Sequence, residues 1–390
     1  MHSENYNLPL TFANRCQIDK SQTILPVDEF RRGRASLPTL DDAMSTVDVV
    51  IPCYNYAQYL RLCVQSVTSQ TGVRVRVLVI DDASSDDSAE IGRELAAADQ
   101  RIEFRRHDVN KGHIATYNEG LLDWSAADYV VLLSADDMLA PGCLGRAVRV
   151  MEADKRIGMV YGPAIHFERE AELPKIDARD CGYTRWSGAE WLEGRCRAGY
   201  NVITSPEVVV RGSVQRAVGG YRPELPHAGD LEMWMRIAAI SDIAYVRKVP
   251  QAFYRVHPKS MIHTVYRGSF FDLCQRKAVF DAFAQHHRGI VKDADRLHEL
   301  AKRSLAREAL WDACRAYDHN QVEASHADDL VEFALVTYSG ATSLPEYAAL
   351  RRRRRLGPIA CNRTQLFAAS ALVRKIRWWT LKRRWKHQGV

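Results

Sequence analysis

What this chain of 390 residues lacks closes several routes at once. No apolar run approaches the roughly 18 to 20 residues needed to cross a bilayer. The polar start MHSENYNLPL lacks the basic-then-apolar pattern of a secretory signal, so a cytoplasmic protein is expected. Nine cysteines are scattered without a CxxC pair, which indicates neither a zinc site nor a disulfide framework, and most are expected as buried small hydrophobes. No GxGxxG, P-loop or GxSxG occurs, so dehydrogenase, kinase and hydrolase readings have no support. A nucleotidyltransferase, the main alternative enzyme class, wants a glycine-rich phosphate loop after its first strand, and Pro52 to Tyr56 contains no glycine. Acid is missing from the end of the chain: Arg351 to Val390 holds 13 Lys and Arg and no Asp or Glu, which leaves 41 basic against 48 acidic residues before it, a net of −7. The split points to a polyanionic partner for the tail alone, a membrane surface or a nucleic acid.

What is present is a repeated grammar of strand, loop and helix. Val47 to Ile51 reads as a buried strand stopped by Pro52, and Leu60, Cys63, Val64 and Val67 follow at helical spacing. Val73 to Ile80, the polar loop Asp81 to Ser88 and the helix Ala89 to Ala97 repeat the pattern. A third unit runs from the strand Ile102 to Arg106 into HDVNKGHIATYNEGLL, and a fourth opens with YVVLLSADDMLAP, Tyr129 to Pro141. Four such units within about 95 residues imply an α/β, doubly wound, mostly parallel sheet. Beyond it come a helix to Glu152, strand-like Gly158 to Phe167, and a variable, proline-bearing segment to Trp191. Asn201 to Leu225 reads as strand, helix and a Gly219-Gly220 turn, His227 to Ile240 as a helix, and Ile243 to Met261 as a strand pair or strand and loop. From Tyr266 to about Leu350 the pattern is helical, with Leu300, Leu305, Ala309 and Trp311 as examples.

Polar loops then cluster after strands, on the edge where open α/β sheets bind ligands. Asp81 with Asp82, Asn110 to Gly112, and Ser134 with Asp136 and Asp137 all stand there. Adjacent carboxylates at that edge suit a hard divalent cation holding phosphates; the same residues can also merely cap a turn or helix. Tyr54 offers a stacking ring or ordinary packing. Lys111 offsets phosphate charge or is simply solvated. Trp234 reads as core more readily than as an acceptor platform.

Together VVIPCYN, VLVIDDASSDDS, NKGHIATYNEG, LLSADDMLAP, GGYRPEL, GDLEMWMR and YRVHPKS stand in the order of a known family. Over roughly Val47 to Met261 the chain resembles the family 2 glycosyltransferases of GT-A fold. That resemblance implies inverting transfer of a sugar from a nucleotide-diphosphate sugar, a UDP-sugar first, to a glycan or lipid-linked glycan, with Mg²⁺ or Mn²⁺. By the same resemblance Pro52, Tyr54 and Asn55 lie against base and ribose, and Asp81 or Asp82 accepts from the base or ribose. Asn110, Lys111 and Gly112 match the loop over the nucleotide. Asp136 matches the metal-binding end of a DxD motif whose first Asp is here Ser134, and His257, flanked by Tyr254, Arg255 and Ser260, completes the metal or diphosphate site. Asp230 matches the catalytic base, where position alone leaves a helix cap equally open, and Gly229 stands where many relatives have Glu. Ser134 and Gly229 also suggest a second alternative, a catalytically impaired binding protein on the same fold.

Four segments follow: a lead-in 1–46, the transferase domain 47–265, a helical extension 266–350 and a basic aromatic tail 351–390. Between Gln365 and Trp385 a helix gathers Leu366, Ala369, Leu372, Val373, Ile376 and Trp379 on one side, with Arg374, Lys375, Arg377, Lys382, Arg384 and Lys386 mostly around the rest, and Arg383 interrupting the apolar side. That is the composition of an interfacial helix, so peripheral attachment to the inner face of the cell membrane is expected. Nucleic acid is not expected, since the acidic body repels a long polyanion.

Overall fold

The apolar runs become strands buried on both faces. In the computed structural model, which describes residues 34–36, 44–176, 182–258 and 269–389, Val47, Val49 and Ile51 pack into one core and Val50 into the other. Tyr129, Val131 and Leu133 divide from Val130 and Leu132 in the same way, as the two-residue strand period requires. The strands, in chain order, are β1 (Arg34–Ser36), β2 (Thr46–Cys53), β3 (Arg74–Asp81), β4 (Ile102–Arg106), β5 (Tyr129–Leu132), β6 (Met138–Leu139), β7 (Ile157–Tyr161), β8 (Ala164–Phe167), β9 (Gly182–Trp186), β10 (Val209–Arg211), β11 (Asp242–Val246) and β12 (Ala252–Arg255).

Nine of them form one sheet in the order β1-β9-β11-β7-β10-β5-β2-β3-β4. β5, β2, β3 and β4 are mutually parallel, whereas β10 runs antiparallel between β5 and β7, and β9 antiparallel to β11 and β1. The sheet is therefore mixed and mostly parallel. Buried Asp48 fixes part of its register: Arg76, directly opposite on β3, donates to it from Nε and Nη2 at 2.8 Å each, and the Ala126 and Ala127 amides donate at 2.7 and 2.9 Å.

Helices α1 (Ala57–Thr68) and α4 (Cys143–Ala153) cover one face, α1 through the expected Leu60, Cys63, Val64 and Val67. α2 (Ser88–Ala98) and the short α3 (His113–Asn118) complete the parallel half. On the other face lie α5 (Gly188–Ala198), α6 (Gly212–Val218) and α7 (Gly229–Ile240), backed by the helices Ser269–His287, Ala294–Asp318, Ala327–Thr337 and Pro345–Leu356. The predicted helical C-terminal region is thus present. Leu305 and Ala309 are buried, and Leu300 and Trp311 pack against the core.

Two elements in the segment read as irregular are regular. β9 is one, and α5 the other, begun by a capping box in which Ser187 accepts from the Glu190 amide while the Glu190 side chain accepts from the Ser187 amide. The short strand expected after Asn201 is β10, with its direction reversed against both neighbours. A second, three-stranded sheet, β6-β12-β8, stands beside the end of β5. Six cysteines are buried and Cys274 is half-buried; Cys16 and Cys181, like most of the lead-in, Ser260 and Met261, lie outside the described residues.

Candidate active site

β2, β3, β4 and β5 are parallel, so their carboxyl ends open on one edge, and the predicted polar loops meet there. Tyr54 is half exposed just past Pro52. Asn55 takes a left-handed φ of 57° and ties this loop to the next: its amide donates to Ser84 Oγ at 2.9 Å, and its Oδ1 accepts from the Ser85 amide at 2.9 Å. Asn55 therefore positions the loop through its side-chain oxygen.

The two carboxylates after β3 have different employment. Asp82 Oδ1 accepts from the Lys111 amide at 2.8 Å, Oδ2 from the Gly112 amide at 2.9 Å, and His107 Nδ1 stands 2.7 Å from Oδ1. Asp82 thus builds the Asn110–Gly112 loop from inside, and Gly112, at φ 83°, supplies the turn an L side chain resists. Asp81 is fully buried. Its Oδ1 accepts from the Ser84 amide at 3.2 Å, while Oδ2 lies 3.2 Å from Arg106 Nε as an ion pair but accepts no hydrogen bond. A buried carboxylate oxygen with unused capacity makes Asp81 the better receptor for a ligand hydroxyl or N–H. Lys111 reaches Glu119 at 3.1 Å, and Asn110 donates to the Asp82 carbonyl at 3.2 Å.

At the end of β5, Ser134 Oγ donates to Asp136 Oδ1 at 2.5 Å, and His257 Nε2 lies 3.0 Å from Asp136 Oδ2. β12 delivers that histidine, edge-on to Tyr56 with ring centres 5.7 Å apart. Asp137 is of another kind. It is buried, accepts from the Arg255 amide at 2.8 Å, and is pushed well above the usual carboxylate range by burial and by the charge of Asp136. The Arg255 guanidinium lies over Tyr59 at 4.2 Å and Phe167 at 4.5 Å and donates to the Asp136 carbonyl at 2.8 Å, which fixes that residue's backbone.

Asp136 and His257 are the residues to test for a divalent metal. Asp136 Oδ2 and His257 Nε2 stand within hydrogen-bonding reach of each other at 3.0 Å, so an oxygen and a nitrogen donor that would hold a hard divalent ion are side by side. Among the described residues no group of three or more His, Cys, Asp or Glu side chains gathers as a metal site. The pair fits an Mg²⁺ or Mn²⁺ completed by phosphate oxygens and water, the usual arrangement for these ions, and not an all-protein cage.

Asp230 sits in the first turn of α7. No side chain caps that helix, so Asp230 is not its N-cap; instead its Oδ1 accepts from the Tyr221 hydroxyl at 2.9 Å. Burial raises its pKa to about 6 against the opposing pull of that hydrogen bond. Tyr221 is held in turn by Asn118, whose Oδ1 accepts from the Tyr221 amide at 2.6 Å and whose Nδ2 donates to its carbonyl at 2.8 Å. Gly229 acquires a reason here: a Cβ would stand 3.1 Å from Tyr221 Cδ1. Trp234 is buried in the core, the first of its two readings.

Three residues escaped the sequence: Asn118, Tyr221 and Glu207. Asn118 and Tyr221 lie 103 residues apart and meet only in three dimensions, although Tyr221 stands within the recognisable GGYRPEL turn. Glu207 is buried with Oε1 unpartnered, and burial, with a smaller push from Asp230, lifts it well above the carboxylate range; its sequence context signals nothing. Tyr254 lies on β12 with its ring centre 5.0 Å from that of His166. Its hydroxyl is held above the phenol range by burial and then by the charges of Asp137, Asp136 and Asp230.

A mixed, mostly parallel sheet with polar loops at one edge, a largely buried Asp136–His257 pair at the end of β5 and Asp230 in the first turn of α7 is the arrangement of the GT-A fold. The model of glycosyl transferase family 2 matches residues 48–208 of the chain. An uncharacterized glycosyltransferase of Haemophilus influenzae is 26% identical over 216 residues, covering 54% of this chain and 65% of the relative, just under two thirds of its length. Hyaluronan synthase of Pasteurella multocida is 22% identical over 227 residues, 58% of this chain and 21% of the relative. Among solved structures, S. aureus TarS 1-349 in complex with UDP-GlcNAc superimposes with a TM-score of 0.58 at 14% identity, covering 84% of this chain and 92% of that one, a likeness of fold.

Proposed function

We propose that the protein transfers a sugar, with inversion, from a nucleotide-diphosphate sugar to a hydroxyl of a glycan or lipid-linked glycan at the inner face of the cell membrane. A UDP-sugar is the first choice of donor, supported by the UDP-GlcNAc bound to the fold neighbour. The observation that carries the reading is the pair Asp136 and His257, 3.0 Å apart at the end of β5, on the same sheet edge as the loops after β2, β3 and β4.

In this reading Asp230 is ionised at neutral pH yet basic enough to take a proton, as a general base requires. The acceptor oxygen forms its bond to the anomeric carbon as the bond to diphosphate breaks, and the hydroxyl proton passes to Asp230. Tyr54 supplies a face for the base, and Asp81 Oδ2 accepts from the nucleoside. Lys111 and Gly112 cover the phosphates from a loop that Asp82 holds. Asp136 and His257 would hold Mg²⁺ or Mn²⁺, with Ser134 steadying Asp136; the ion, when bound, acts as a Lewis acid on the leaving diphosphate. A thermal-shift panel of UDP, GDP and dTDP sugars with Mn²⁺ tests the donor, since ligand at about 100 times its Kd stabilises by roughly 2.7 kcal/mol. A shift with one nucleotide sugar supports the reading; no shift with any rejects it.

A further inference from the structure

The helix Ala368–Gln388 turns its apolar side away from the protein. Leu372, Val373, Ile376 and Trp379 are 58, 61, 56 and 65% exposed. With about 100° per residue these four and exposed Ala369 share one sector of about 120°. Phe367, Ala371, Trp385 and Gly389, all less exposed, fall on the opposite side. A helix docked to complete the core would show the reverse pattern.

The orientation is fastened at both ends. At the start, the Phe367 ring lies 4.0 Å beneath the buried Arg353 guanidinium. At the finish, the buried Gly389 carbonyl accepts from the Tyr161 hydroxyl, and a Cβ on Gly389 would meet Tyr245 at 2.5 Å. The helix is therefore not free to roll its apolar side inward without breaking these contacts. Arg383 is exposed in the same sector but near its end, where a long side chain can carry its charge out to a headgroup layer while its stem stays apolar.

We propose that this helix lies in the headgroup layer of an anionic membrane, with the Leu372–Trp379 face inserted. Charge selects the occupant: the helix carries seven Lys and Arg, at positions 374, 375, 377, 382, 383, 384 and 386, and no acid, so an anionic bilayer attracts it. A second copy would bring like-charged helices together. A nucleic acid would leave the apolar sector uncovered. No helix among the described residues is long and apolar enough to cross a membrane. The transferase reading supplies only the use, confining the enzyme to the surface that presents a lipid-linked acceptor.

The test is sedimentation of the full chain with phosphatidylcholine vesicles containing about 30% phosphatidylglycerol, and with pure phosphatidylcholine, at low and moderate salt. The full chain is expected to bind the anionic vesicles and to release as salt rises. The double variant Ile376→Ser, Trp379→Ser is expected to bind at least about tenfold more weakly with nucleotide-sugar hydrolysis unchanged, because both side chains are exposed and bear no load in the fold. Full-length protein that stays in the supernatant at low salt overturns the proposal. So does a double variant that binds as well as the parent, or a concentration-dependent dimer that the double variant abolishes, or vesicle binding displaced by duplex DNA at equal phosphate. Hydrolysis without vesicle binding would reject the membrane face alone, and vesicle binding without hydrolysis the transferase reading alone.

Discussion

The Tyr221 hydroxyl donates to Asp230 Oδ1 at 2.9 Å, so one phenol orients the proposed base and tempers the rise in its basicity that burial causes. Asp230 acts only when ionised, and its pKa of about 6 places the acid limb of kcat/KM there, with activity present above and lost as pH falls through it. The Tyr221 hydrogen bond stabilises the charged form. Tyr221→Phe should therefore move the acid limb to higher pH, and a pH profile that does not move would remove Tyr221 from this role.

Asp230→Asn keeps size and accepts the same hydrogen bond but cannot take a proton. Turnover should fall by about 10² to 10⁴ with donor affinity nearly unchanged. Steady-state kinetics with the best donor decides; turnover near that of the parent would leave Asp230 as no more than a half-buried acid at a helix start.

Asp136→Asn should abolish metal-dependent binding of the donor while the fold persists, and His257→Ala should weaken it less, since a neutral ligand contributes less beside phosphate oxygens. Calorimetric titration of a nucleoside diphosphate with and without Mn²⁺ reads both. Equal metal dependence in Asp136→Asn and the parent would contradict the assignment.

Neighbouring Asp81 and Asp82 should part company. Asp82→Asn disrupts a carboxylate that accepts two backbone amides, at a cost of about 1.5 to 3 kcal/mol, seen as a lower denaturation midpoint. Asp81→Asn should chiefly weaken nucleotide binding. The opposite pattern in a denaturant and binding series would reverse the assignment.

Much of this architecture is legible in the chain. The apolar run Val47 to Ile51 was legible as a buried strand, and helical spacing named the four residues by which α1 docks. β9 was not visible because it is five residues long, polar in alternation and preceded by a proline-bearing stretch, although Ser187 and Glu190 spell out the capping box of the helix that follows. Nothing local encodes the reversed direction of β10, which is set by its two neighbours. In the site, chain position brought Asp81, Asp82 and Asp136 to one edge. The division of labour between Asp81 and Asp82 depends on where the Lys111 and Gly112 amides point, and the Asn118 clamp on Tyr221 spans 103 residues. The apolar side of the tail helix was readable from its period; which way that side faces is decided by Phe367 and Gly389 at its ends.

The most direct test is to follow, by proton NMR, the anomeric configuration of the first product formed from the nucleotide sugar that binds best, in the presence of Mn²⁺. A single displacement driven by Asp230 predicts that an α-linked donor gives a β-configured product, and that this signal is lost in Asp230→Asn. A first product that retains the α-configuration would contradict it.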